Sequence, residues 1–315
     1  MTSNSTDGAA SAPFSVVGRE AVTRFAPSPT GPLHLGSLLA AVGSYLDART
    51  NGARWLIRIE DIDTPRVVPG CADAMLRTLD SFGFEWDSDV LWQSTRREAY
   101  REAIARLAAQ GRIFHCSCTR RELATAGAED VPGYPGTCRH GQARPGPTAR
   151  RFRVSDGTVR FADLFQGEQA FDLAACGDVV VERRDGLATY QLAVVVDDAF
   201  QGVTRVIRGA DLLASTPWQI DLQAALSLPR PIYGHLPLVV EADGAKLSKS
   251  LRSAPVNPAQ VAEGLTLTLT LLSQSPPPDL PRFSVQDIWK WALAHWDPQA
   301  LAGKTSARLS ALRDT

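Results

Sequence analysis

Arg24-Phe25-Ala26-Pro27-Ser28-Pro29-Thr30-Gly31-Pro32-Leu33-His34-Leu35-Gly36-Ser37 is the stretch on which the architecture turns. Before it, Val22 to Phe25 reads as a short strand; after it, apolar residues recur at helical spacing from about Leu35 to Arg49. Strand, Pro/Gly-rich loop and helix, in that order, open a Rossmann-type α/β domain. A helix that starts at such a turn offers unpaired N–H groups and a positive dipole end to a phosphate chain. His34 can donate to phosphate oxygens there, and Gly36 lets a flat base approach the backbone. The same string also serves as a tight turn with a capping serine.

Outward from this turn, Trp55 to Ile59 reads as the next strand, with Arg58 and Glu60 interleaved, and Pro69 opens a second helix toward Phe82. Thr95 to Gln110 carries Tyr100, Ile104 and Leu107 on one face and predicts an amphipathic surface helix. Cys116 to Arg150 has almost no core-forming residues. Strand-like runs return at Thr158–Phe161, Asp178–Glu182, Ala193–Val196 and Thr204–Ile207, with a hairpin signal at Asp185-Gly186. A helix over 211–226 and a strand from Leu236 to Glu241 follow. The tail shows one amphipathic helical stretch, Val285 to His295, after the breaker Pro276-Pro277-Pro278.

With 315 residues, 44% of them hydrophobic, the chain can build one large α/β domain or two unequal ones. Its 33 basic and 34 acidic residues nearly cancel, so net charge neither requires nor excludes a nucleic acid. The first fifteen residues lack the basic and apolar regions of a signal peptide and read as a disordered tail. No apolar run is long enough to cross a bilayer, so the expected location is the cytoplasm, with no membrane partner.

Five cysteines are an odd number, and three cluster at Cys116, Cys118 and Cys138, which suits metal binding better than a disulfide framework. Three thiolates and a fourth donor make a closed tetrahedral zinc site, which would order a loop without a core. His115 or His140 is the ordinary fourth ligand on coordination chemistry, and three idle cysteines are the structural alternative. Cys71 and Cys176 have no visible partners and read as packing.

Lys246-Leu247-Ser248-Lys249-Ser250 places two ammonium groups and two hydroxyls in a loop after a strand. Flexible lysines suit a transition state in which charge builds on an α-phosphate and a departing pyrophosphate, although alone the string is a solvated basic loop. Together, in this order, the two elements resemble the HIGH and KMSKS signatures of class I aminoacyl-tRNA synthetases. RFAPSPTGPLHLGS resembles the glutamyl branch in particular, and the likeness runs from about Val22 to Ser250. Leu35 and Leu247 replace the signature isoleucine and methionine without changing a charge or a donor.

The resemblance implies that His34, Gly36, Ser37, Lys246, Ser248 and Lys249 hold ATP, with His34 and Lys249 catalytic and magnesium as counter-ion. It implies a glutamate pocket from Arg24, Phe25, Ala26, Pro27, Ser28, Glu60, Tyr190 and Arg208. Charge agrees: a ligand with two carboxylates and one ammonium wants arginines for the acids and a carboxylate for the amine. Separately, Arg58 and Glu60 could form a surface pair, and Tyr190 could be core. A buried arginine left unpaired costs about 1–3 kcal/mol, which disfavours glutamine by one or two orders of magnitude.

The spacing Cys-x-Cys, Tyr134, x-x-x, Cys is similar to that of a group of short glutamyl paralogues, the glutamyl-queuosine tRNA(Asp) synthetases, and this likeness implies Tyr134 as the fourth zinc ligand. Only 65 residues (315 − 250) follow Ser250, too few for the anticodon-binding region of full-length glutamyl enzymes. The expected organisation is a disordered tail (1–17), a first Rossmann half (18–110), a zinc-containing, α+β acceptor-like insertion (111–185), a second half with the KLSKS loop (186–255) and a short helical C-terminal region (256–315). The expected function is ATP-dependent activation of L-glutamate, by a monomer. Transfer would go to queuosine at the wobble position of tRNA(Asp), whose anticodon stem-loop is the partner. The rivals are a truncated glutamyl-tRNA synthetase charging tRNA(Glu) and a non-catalytic binding paralogue.

Overall fold

The computed structural model describes residues 20–123, 133–141, 144–241 and 255–309. The expected N-terminal tail and the entire Lys246–Ser250 string lie outside them. In the first half, β1 (Val22–Phe25), β2 (Arg54–Ile59) and β3 (Leu91–Trp92) form a parallel sheet in the order β1-β2-β3. Helix α1 (Leu35–Thr50) connects the first two strands and α2 (Cys71–Ser81) the next. The βαβα opening is therefore as the periodicity predicts. α3 (Arg97–Ala109) buries Tyr100, Ile104 and Leu107, the face that the sequence marks as apolar.

The predicted insertion, 111–185, is not one sheet. β4 (Ile113–Cys116), β5 (Ala149–Phe152) and β8 (Val179–Glu182) form an antiparallel sheet, joined by the short helices α4 (Arg120–Leu123) and α5 (Leu173–Cys176). Between them β6 (Thr158–Asp163) and β7 (Gly167–Asp172) form a hairpin that leaves for a second sheet, ordered β7-β6-β10-β9. There β9 (Arg205–Gly209) and β10 (Ile232–Leu236) run parallel, and β6 runs parallel to β10. The Thr204 N–H donates to Val22 O at 2.9 Å, tying the two parallel sheets together at the start of β1 and β9.

Ala193–Val196, predicted as a strand, is helical: it lies in α6 (Tyr190–Phe200), where Leu192, Ala193, Val194 and Val195 are all buried. A short run of β-branched residues buried on every side carries no period, so neighbours decide its conformation. The predicted helix over 211–226 begins as a 3₁₀ turn (Ala210–Ser215) and becomes α7 at Thr216–Ala225. The sequence reading missed β10, merging it with β11 (Leu238–Val240), which pairs with β12 (Ser306–Arg308).

It also missed α8 (Val261–Leu271), while α9 (Val285–Ala294) is as expected and is capped by Ser284. Both C-terminal helices pack into the core of the first half. Trp289 of α9 donates to Phe82 O at 2.8 Å and stands edge-on to Tyr45 at 4.8 Å, beside the stacked pair Trp55 and Phe84. Helix α1 crosses β10 closely: a Cβ on Gly43 would meet Leu236 at 2.6 Å. Cys71 sits in this core and Cys176 is half-buried. No helix among the described residues is long and apolar enough to cross a membrane.

Candidate active site

The turn from β1 into α1 opens on a cleft of about 770 Å³. His34 is the N-cap residue of α1, in place of the serine that the turn reading allows: its Nδ1 accepts from the Ser37 N–H at 3.2 Å. That places the ring proton on Nε2, 3.2 Å from Ser37 Oγ. The reason for glycine at 36 is visible here, because an added Cβ would press on the His34 ring at 3.2 Å. His34, Gly36 and Ser37 thus line the cleft together.

The same cleft is lined by Arg24, Glu60, Tyr190 and Arg208, brought from β1, the end of β2, the start of α6 and β9. Phe25, Ala26, Pro27 and Ser28 complete that wall. Arg58 and Glu60 are no surface pair: both are buried, with Arg58 Nη2 donating to Glu60 Oε1 at 3.2 Å. Burial pushes the Glu60 carboxyl above its ordinary range, against the pull of Arg58 and Arg24. An ammonium arriving beside it would favour the ionised form, which is the property an amine-binding carboxylate needs.

Arg208 is held on three sides. Its Nε donates to His235 Nε2 at 3.1 Å, Nη1 to the Tyr190 hydroxyl at 3.2 Å, and Nη2 to Thr216 Oγ1 at 2.9 Å and Leu212 O at 3.4 Å. These bonds use four of about five N–H donors and leave one on Nη1. His235 can accept because its Nδ1–H goes to Asp163 Oδ2 at 2.5 Å, and burial holds its pKa below the usual value. Tyr190 is therefore more than core packing: its hydroxyl receives the arginine that lines the cleft.

The sequence reading missed Asp198. It accepts from Arg24 Nε at 2.9 Å, Arg24 Nη2 at 3.3 Å and Arg58 Nη1 at 2.8 Å, all buried. Burial alone would raise its pKa, but the two guanidiniums hold it below the ordinary range. The available signal was Asp197-Asp198 closing an apolar run, obscured once that run is read as a strand. His235 and Asp163 were missed with β10.

The model of tRNA synthetases class I (E and Q), catalytic domain, matches residues 20–273. A glutamyl-Q tRNA(Asp) synthetase of Aromatoleum aromaticum is 54% identical, over 92% of this chain and 94% of its own. One from Dechloromonas aromatica is 53% identical, over 87% of this chain and 93% of its own. The chain belongs to the glutamyl-Q tRNA(Asp) synthetase family of class I synthetases. A solved glutamate-tRNA synthetase of Elizabethkingia anophelis is similar at TM-score 0.76 and 26% identity, covering 93% of this chain and 68% of that one.

This member of the glutamyl-Q tRNA(Asp) synthetase family also gathers its three cysteines. The Cys116, Cys118 and Cys138 sulfurs lie within 4.8 Å of one another, and the Tyr134 hydroxyl is 3.5 Å from Cys116 Sγ and 3.7 Å from Cys118 Sγ. His115 turns to Thr148 Oγ1 at 2.7 Å, and His140 is exposed and not in the cluster. Burial opposes ionisation of Cys138, yet bonds from the Ser117 backbone and Tyr134 lower its thiol to about 7. The Arg151 guanidinium lies 3.8 Å from the Tyr134 ring centroid, over the electron-rich ring face, while burial and the bond to Cys116 push the Tyr134 hydroxyl above its ordinary range. Three sulfurs and one phenol oxygen fit a tetrahedral ion. We expect one zinc per chain by elemental analysis, lost or weakened in Cys138→Ser and weakened in Tyr134→Phe. Normal affinity in Tyr134→Phe would return the fourth place to a histidine.

Proposed function

We propose that this chain uses ATP to activate L-glutamate and transfers the glutamyl group to queuosine at the wobble position of tRNA(Asp). The observation that carries it is one cleft lined both by the N-terminus of α1, at His34, Gly36 and Ser37, and by Glu60, Tyr190, Arg208 and Arg24. ATP would lie with its phosphates toward His34, Gly36 and Ser37, with magnesium as counter-ion, and Lys246, Ser248 and Lys249 would supply further donors to them. The glutamate ammonium would meet Glu60, and its side-chain acid the arginines. Its α-carboxylate then attacks the α-phosphorus in line, the bond to pyrophosphate breaks, and glutamyl-adenylate remains. A hydroxyl of the queuosine ring next attacks the acyl carbon and AMP departs. The cysteine cluster would hold zinc in a structural role.

Support for the acceptor comes from the relatives named glutamyl-Q tRNA(Asp) synthetase at 53–54% identity. Charging of tRNA(Glu) is the second reading, favoured by the likeness to the Elizabethkingia glutamate enzyme. Pyrophosphate exchange with each amino acid, with and without tRNA, tests the first half-reaction. We expect exchange with glutamate, and about tenfold less with glutamine, because an uncharged amide brings no counter-charge to the guanidiniums of the cleft. Equal rates with glutamine would refute the pocket.

A further inference from the structure

A second cleft of about 620 Å³ shares Ser28, Thr30, Glu60, Arg66 and Tyr190 with the first. Of the shared residues, Ser28, Glu60 and Tyr190 belong to the expected glutamate pocket, whereas His34, Gly36 and Ser37 line only the first cleft. Two elements carry the charged groups of the second cleft. One is the segment after β2, bearing Asp63; the other is the turn after β8, bearing Arg183 and Asp185. This is a space next to the expected amino-acid pocket, of the size that holds a small organic ligand.

Its polar groups are already arranged. Asp63 Oδ1 accepts from Arg183 Nη1 at 2.7 Å and Oδ2 from Arg66 Nε at 2.6 Å, while Arg183 Nη2 reaches Asp185 Oδ2 at 2.7 Å. A carboxylate offers about four acceptor positions, so one bond to each oxygen leaves Asp63 able to accept two more. A fixed carboxylate with that capacity suits a vicinal diol, whose two hydroxyls donate side by side. The exposed Arg66 guanidinium offers a plane of the kind against which proteins commonly hold an unstacked nucleobase. The turn is braced from behind as well: Arg184 Nη2 donates to Ser117 O at 2.6 Å and Cys118 O at 2.8 Å, within the cysteine cluster.

We propose that this second cleft receives the acceptor nucleobase and that Asp63, held between Arg66 and Arg183, is the residue that selects a base carrying a vicinal diol. The proposal rests on the queuosine reading above and names the side chain that would enforce it. Arg183 acts on the base through Asp63 and is a positioning residue.

The test is titration of the full chain with tRNA(Asp) anticodon stem-loops that carry or lack queuosine, read by fluorescence anisotropy. Wild-type protein should prefer the modified stem-loop. Asp63→Asn should cut that preference about tenfold, the value of a hydrogen bond to a charged group, with the affinity for the unmodified stem-loop unchanged. Arg183→Gln should reduce the preference in the same direction. Undiminished preference in both variants, or equal loss of affinity for both RNAs, would overturn the proposal and leave the queuosine reading standing. No preference in wild type would overturn both.

Discussion

Replacing Asp198 by alanine is expected to lower stability by about 3–5 kcal/mol and to abolish glutamate-dependent exchange. The magnitude is that of removing one partner from a buried ion pair, because the charge left behind has neither water nor a counter-charge. Here the removal strands two guanidiniums at once. Arg24 and Arg58 are buried, and Asp198 is the carboxylate they share, which leaves Arg58 with Glu60 as its ionic partner among the described residues. Freed of Asp198, Arg58 would compete for Glu60, and Arg24 would lose the bidentate hold that fixes it against the cleft. For a chain of this size a loss of about 3 kcal/mol corresponds to a fall in Tm of about 4–5 °C. Asp198→Asn, which keeps the shape and one acceptor, should fall between. A thermal melt that does not move in Asp198→Ala would contradict the role given to this residue.

Lys249→Ala is expected to lower the rate of glutamate activation about a hundredfold or more. Losing one preorganised donor to transition-state charge typically costs ~3 kcal/mol. Lys249 lies outside the described residues, so this expectation rests on the Lys246–Ser250 string and its likeness to the class I signature. Its chemistry predicts how the loss should divide. Charge on the α-phosphate and the leaving pyrophosphate peaks in the transition state, so kcat should fall much more than affinity for ATP or glutamate. An unchanged rate in a folded variant would move the catalysis elsewhere.

The stretch from β1 to α2, residues 22–81, was legible because each element there has a clear period and clear punctuation. Pro27, Pro29, Gly31 and Pro32 interrupt the chain between a strand and a helix with an unbroken 3.6-residue pattern. The parts that were misread lack one or the other. Ala193–Val196 is apolar without a period, and its helix is decided by burial between neighbours. β10 carries glycine and histidine at its centre, Gly234 and His235, which weaken a strand signal; the histidine is there to hold Arg208. The β6–β7 hairpin joins β10 across about seventy residues of chain, a long-range pairing that local pattern cannot reveal.

Of the site, the residues with motif context were legible, namely His34, Gly36, Arg24, Glu60, Tyr190 and Arg208, and the structure brings all of them to one cleft. What was not legible is what supports them. Asp198 and His235 hold the arginines by ionic and hydrogen bonds from elements distant in sequence, and Asp163 in turn holds His235. Tyr134 illustrates the opposite case. Coordination chemistry preferred a histidine, the resemblance pointed to the tyrosine, and the structure places its hydroxyl among the sulfurs.

The measurement that bears most directly on the account is incorporation of labelled glutamate into defined tRNAs in the presence of ATP. tRNA(Asp) carrying queuosine, tRNA(Asp) lacking it and tRNA(Glu) would each be incubated with the wild-type chain, and the site of attachment mapped by nuclease digestion. The account predicts label on the modified wobble nucleotide of tRNA(Asp), and none on the other two RNAs. Label at the 3′ end of tRNA(Glu), with the queuosine-containing tRNA(Asp) left bare, would contradict it.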